Sequence, residues 1–199
     1  MGELMMVASA IVLAGGRSSR FGSDKLRAEI DGQPMLDLVI RAAAEIAVEI
    51  VVVTPSSGPA LELPSDLTTR TTLVRDADAY PGPLVALVRA AVEANHERLL
   101  LLAGDMPHVQ PVLLRRLLAW PTDLAGACLV ADGWSRPLPI GLDRSSMLVT
   151  GTGLIDTGAR SLRALIDALP IEQIAETDWR TLDPEARSLQ DIDRPEDMP

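Results

Sequence analysis

Apolar positions along this chain fall into short, β-branched runs separated by longer stretches with helical spacing. Val7 to Leu13 is the first run and ends in Ala14-Gly15-Gly16, which predicts a buried strand entering a tight turn. Pro34 to Ala47 places Met35, Leu38, Val39, Ala42, Ala43 and Ile46 on one helical face behind an initial proline. Glu49 to Thr54 contains Ile50-Val51-Val52-Val53, a second buried strand, and the Pro- and Ser-rich stretch Pro55 to Asp66 reads as an irregular surface loop. Thr71 to Arg75 predicts a short strand, and Pro83 to Asn95 a helix carrying Leu84, Leu87, Val88 and Ala91. Leu99 to Ala103 is a third apolar strand, broken by Gly104-Asp105-Met106-Pro107, and Pro111 to Trp120 is another helix.

Strands alternating with helices predict an α/β fold, a mostly parallel sheet covered on both faces. The second half is less regular. Ala125 to Ala131 and Pro137 to Leu142 flank Asp132-Gly133 as strands returning past each other. Ser161 to Leu169 reads as an amphipathic helix and Ser188 to Asp193 as a last short strand. With no repeat and no linker, the expectation is one domain over residues 1–199.

Composition narrows the function classes. The formal charge is −10, so the long-range field repels nucleic acid and anionic membrane surfaces, and neither is an expected partner. The only cysteine, Cys128, permits no intramolecular disulfide and no cysteine metal cluster. Met1 to Gly16 lacks a basic leader and no apolar run reaches the roughly 18 residues of a membrane span, so the cytoplasm is the expected location. A phosphate site in so acidic a chain must be built locally from cations and backbone N–H groups.

One stretch has those parts. Leu13-Ala14-Gly15-Gly16 leads into Arg17, Arg20, Gly22 and Lys25, where glycines let N–H groups approach a ligand and the cations share its charge. The spacing is neither a Walker A loop nor Gly-x-Gly-x-x-Gly. A triphosphate suits the loop, and a plain turn with solvated Arg and Lys is the competing reading. Asp105 follows a buried strand at the edge where open α/β sheets bind ligands, and a carboxylate there suits Mg²⁺, although it also suits simple turn capping. Asp76 ends the strand before Tyr80-Pro81-Gly82-Pro83. Asp191 and Asp193 alternate along the last predicted strand and so share a face, as a second metal or acceptor-side pair or as solvated acids. His96 and His108 have no Ser, Cys or second His at a useful spacing, which argues against a triad or a zinc site. Trp120, Trp134 and Trp179 read as packing residues rather than stacking platforms, Trp134 least clearly of the three.

Leu13-Ala14-Gly15-Gly16 with Ser18, Arg20-Phe21-Gly22 and Asp24-Lys25, then Tyr80-Pro81-Gly82-Pro83-Leu84, Gly104-Asp105-Met106-Pro107 and Asp191 to Asp197, resemble the molybdenum cofactor guanylyltransferases in content and order. Arg136 to Pro139 and Gly158 to Leu165 look like the same family. The resemblance implies a Rossmann-like three-layer sandwich of the GT-A nucleotidyltransferase type. It also implies GMP transfer from GTP to molybdopterin, with Mg²⁺ as cofactor and transient contact with molybdoenzymes. By position it implies nucleotide contacts from Leu13, Ala14, Gly15, Gly16, Lys25, Thr54, Asp76 and Asp105. Lys25, Arg20 and Asp105 then act in catalysis, and Asp105 with Asp193 holds the metal. Thr54 stands where that family often has Asn, as do Asp191 and Asp193. The alternatives are a cytidylyltransferase, an enzyme using another small phosphorylated acceptor, and a nucleotide-binding partner without catalysis.

Overall fold

The computed structural model describes residues 6–15, 27–56, 61–76, 82–192 and 197. In chain order the strands are β1 (Met6–Leu13), β2 (Glu29–Ile30), β3 (Gln33–Pro34), β4 (Ala47–Thr54), β5 (Thr71–Arg75), β6 (Arg98–Ala103), β7 (Gly126–Ala131), β8 (Trp134–Asp143) and β9 (Glu172–Ile174). The helices are α1 (Met35–Ala44), α2 (Pro83–Glu93), α3 (Pro111–Leu117), α4 (Arg144–Asp156), α5 (Leu162–Ala168) and α6 (Glu176–Trp179). A seven-stranded sheet runs in the order β5-β4-β1-β6-β8-β7-β9, and β2 pairs separately with β3. Strands β5, β4, β1 and β6 are parallel, β8 runs antiparallel to β6 and β7, and β9 is parallel to β7.

The continuous apolar runs are continuous because both sheet faces are covered. The two-residue period of a strand divides them: Ala8, Ala10, Val12, Leu100 and Leu102 pack with α1, α3 and Trp179, whereas Ile11, Leu99 and Leu101 pack with α2, α4 and α5. Trp179 is fully buried and its indole N–H donates to the Val130 carbonyl at 2.8 Å, which fixes α6 on β7. Arg116 and Glu172 form a two-pronged ion pair between α3 and β9, with contacts of 3.1 and 2.5 Å. No helix among the described residues is long and apolar enough to cross a membrane.

Several expectations need correction. β8 begins at Trp134 rather than Pro137; Pro137 and Pro139 are tolerated where the β7–β8 register is irregular between Cys128 and Val130. α4 is not foreshadowed by the apolar pattern, because Thr150, Gly151, Thr152 and Gly153 blur any apolar face. Gly151 has a packing reason: a Cβ there would lie 2.8 Å from Val88 Cγ2 on α2. Of the predicted strand from Ser188 to Asp193, none forms among the described residues 188–192. Arg187–Leu189 is instead a 3-10 turn, because the Asp183 carboxylate accepts the N–H groups of Arg187 and Ser188 at 3.0 and 2.8 Å. Those donors are therefore spent locally, Asp191 does not lie on a strand, and Asp193 is outside the described residues.

Candidate active site

The parallel order of β5, β4, β1 and β6 brings four strand ends to one edge. Their hydrogen bonding continues one residue past each end. Ala14 N–H donates to the Val53 carbonyl at 2.8 Å, Gly104 N–H to Leu13 at 3.0 Å, and Asp76 N–H to Thr54 at 2.9 Å. Leu13, Ala14, Thr54, Asp76 and Asp105 therefore stand on a single rim although nearly a hundred positions separate the first from the last. Gly15 follows, exposed, and among the described residues a Cβ there would meet nothing closer than Pro55 at 4.0 Å. The Thr54 hydroxyl makes only a long 3.5 Å contact with the Val74 carbonyl, too long to hold it away from another partner.

The C-terminal segment reaches the same rim by a bond that the sequence pattern does not announce. Ile192 N–H donates to the Asp105 carbonyl at 3.0 Å, and the Ile192 side chain is buried with Ile30 and Met35. Asp191 is exposed next to that junction. Of the expected site residues, Leu13, Ala14, Gly15, Thr54, Asp76, Asp105 and Asp191 are thereby placed together. Gly16, Arg20, Lys25 and Asp193 lie outside the described residues, as does Tyr80.

The loop into α2 and the turn before α5 close one side of this rim. Gly82 has φ 98°, and a Cβ on it would come within 2.8 Å of Arg160 Cβ and 2.9 Å of its carbonyl oxygen. Only glycine allows that approach. Leu84 N–H then donates to the Arg160 carbonyl at 3.1 Å. The same edge receives the β7–β8 hairpin, because β8 runs against β6 and its first residues therefore rise past the β6 tip.

At the opposite edge the fold joins groups that spacing had kept apart. Ser9, fully buried, donates to Glu49, and its oxygen lies 3.0 Å from His96 Nδ1. Glu49 also accepts the Asn95 N–H at 2.9 Å. Burial works against the Glu49 charge, but the bonds from Asn95, Ser9 and His96 outweigh it and hold the carboxyl below its ordinary value. Ser9 is sealed from solvent, so this is a structural clamp on the α2–β6 loop and not a nucleophile. A groove of about 380 Å³ on the same edge is lined by Arg98, Trp120, Asp123 and Asp143, away from the rim. Cys128 is buried as expected, and burial raises its thiol above the ordinary value.

A parallel α/β sheet whose ligand edge carries a glycine turn on its first strand and an aspartate at a neighbouring strand tip defines a nucleotide-binding transferase. The sequence agrees: the chain belongs to the MobA-like NTP transferase domain family, whose model matches residues 10–174, and it is a nucleotidyltransferase. A "Probable molybdenum cofactor guanylyltransferase" of Chloroflexus aggregans is 30% identical over 97% of this chain and 92% of its own length. One of the same name from Mycolicibacterium paratuberculosis is 34% identical over 97% and 94%. The fold is shared with the crystal structure of molybdopterin-guanine dinucleotide biosynthesis protein A from Archaeoglobus fulgidus, at a TM-score of 0.74 and 20% identity over 95% of this chain and 94% of that one.

Proposed function

We propose that this enzyme transfers GMP from GTP to the phosphate of molybdopterin and releases pyrophosphate. The observation that supports it most is the rim itself, where the β1 turn, Asp76 and Asp105 meet through consecutive backbone bonds. An oxygen of the acceptor phosphate attacks the α-phosphorus of GTP, the bond to the bridging oxygen breaks, and pyrophosphate leaves. A phosphate monoester has its second pKa at about 6, so the nucleophile is already charged at neutral pH and needs no general base. That accounts for a rim without a catalytic histidine. Positioning and charge neutralisation do the rest.

The backbone N–H groups of Gly15 and Gly16 donate to the phosphates, and Lys25 and Arg20 complete the grip from the sequence that follows. Thr54 and Asp76 position the nucleoside end. Among the described residues no set of three His, Cys, Asp or Glu side chains is grouped to hold a metal. Magnesium does not require one, since it takes one or two carboxylates plus phosphate oxygens, and Asp105 fits that donor set. Asp105 would hold Mg²⁺, with Asp193 from the C-terminal segment as second carboxylate, and the ion when bound supplies charge to the phosphates. Asp191 faces the acceptor side. Molybdoenzymes that receive the product are the transient partners. Gly16 after Ala14-Gly15 favours guanine over cytosine.

Pyrophosphate release measured with GTP, CTP and ATP, with and without molybdopterin, tests this. Release is expected with GTP plus molybdopterin and not with either alone. Release with CTP alone among the nucleotides would make the enzyme a cytidylyltransferase, and none with any nucleotide would leave a binding protein.

A further inference from the structure

We propose that Trp134 is the stacking platform for the fused heteroaromatic ring of the acceptor, a role that rests on molybdopterin being that acceptor. Trp120 and Trp179 are buried, whereas Trp134 keeps 66% of its surface in water. An indole left in water at a hairpin tip forgoes a large apolar burial, and it offers a flat π-face to whatever binds beside it.

Its place in the fold puts that face at the reaction. Ile140 of β8 is paired with Leu101 of β6. On β7, Cys128 faces Ile140 and Ala131 faces Trp134, so Trp134 stands three β7 residues, roughly 10 Å, beyond that pair, and Asp105 up to roughly 13 Å beyond it along β6. Neighbouring strands are only about 4.8 Å apart, so the residue stands near the level of Asp105 on the next strand. Leu138 and Ile140 pack towards α5, and past the irregular stretch of β8 the hairpin brings Trp134 within reach of the same helix. Arg163 of α5 agrees with this, its guanidinium lying 5.7 Å from the indole centroid.

Local cations complete the subsite. Arg163 is held in place by donating to the Ser135 carbonyl at 2.8 Å. Arg136 pairs with Asp132 at 2.6 Å, while its Nε–H is buried and meets no acceptor among the described residues. In a chain of net charge −10, an acceptor bearing a phosphate needs such a positive neighbourhood. The hairpin therefore presents an exposed indole with the Arg163 guanidinium over one face and the other face open to a pterin ring, and Arg136 two residues along supplies charge for a phosphate on its side chain.

Calorimetric titration of molybdopterin and, separately, of GTP into wild type, Trp134→Ala and Trp134→Phe tests this. Trp134→Ala is expected to weaken molybdopterin binding about 10-fold or more, Trp134→Phe less than about 3-fold, and GTP binding is unchanged in both. The thermal midpoint stays at the wild-type value, because the side chain is exposed. Molybdopterin affinity within about 2-fold of wild type in Trp134→Ala would overturn the assignment. The titration needs no turnover, so it is decided even if pyrophosphate release shows that GMP is not the group transferred.

Discussion

Asp105 is half-buried at the strand tip, and its main chain is committed on one side to Ile192. Replacing its carboxylate with an amide keeps shape and hydrogen bonding but removes the charge a cation needs. Asp105→Asn should therefore lower kcat/KM by about 100-fold or more while leaving the melting temperature nearly unchanged, as read by pyrophosphate release and calorimetry. Glu49 makes the opposite kind of prediction, on stability alone. Its carboxyl lies below the usual 4.5 in the folded chain, so its contribution is present above the unfolded value and is lost as pH falls through the lower folded one. Glu49→Gln should lower stability at neutral pH by about 1–2 kcal/mol, and in thermal melts the gap to wild type should close as pH falls through the carboxyl's lowered value. Asp105 was legible in the sequence because its signal is local, an acid after an apolar run. The Ser9–Glu49–His96 clamp was not, because its members are brought together only by strand pairing and the turn after α2.

The same division holds for whole elements. β1, β4 and β6 announce themselves, since burial on both faces writes an unbroken apolar run. α4 does not, because it meets α2 through Gly151, and a helix that packs by small residues has little apolar stripe to read. The C-terminal segment misleads for another reason. The alternation of Asp191, Ile192 and Asp193 suggests a strand, whereas Ile192 is held by one main-chain bond and a small apolar cluster. Ile192→Ala should cost about 2 kcal/mol of stability and, by loosening the segment against Asp105, lower kcat/KM about 10-fold. A stability loss with unchanged turnover would mean that the segment merely covers the core.

Over the whole molecule the two edges of the sheet divide the work. The amino edge is tied down by the Glu49 clamp and bears a mixed-charge groove, while the carboxyl edge gathers the β1 turn, Asp76, Asp105, the C-terminal segment and the Trp134 hairpin. This asymmetry follows from topology: parallel strands deliver all their ends to one side, and the antiparallel β8 adds its beginning there. A chain of such negative charge attracts an anionic substrate only where it concentrates donors, and the proposed reaction puts that concentration at the rim. A crystal structure with a non-hydrolysable GTP analogue tests this most directly. The triphosphate should lie over Ala14 and Gly15 with its α-phosphate towards Asp105 and the guanosine towards Thr54 and Asp76. A nucleotide seated instead in the groove beside Trp120 and Asp123 would contradict the account.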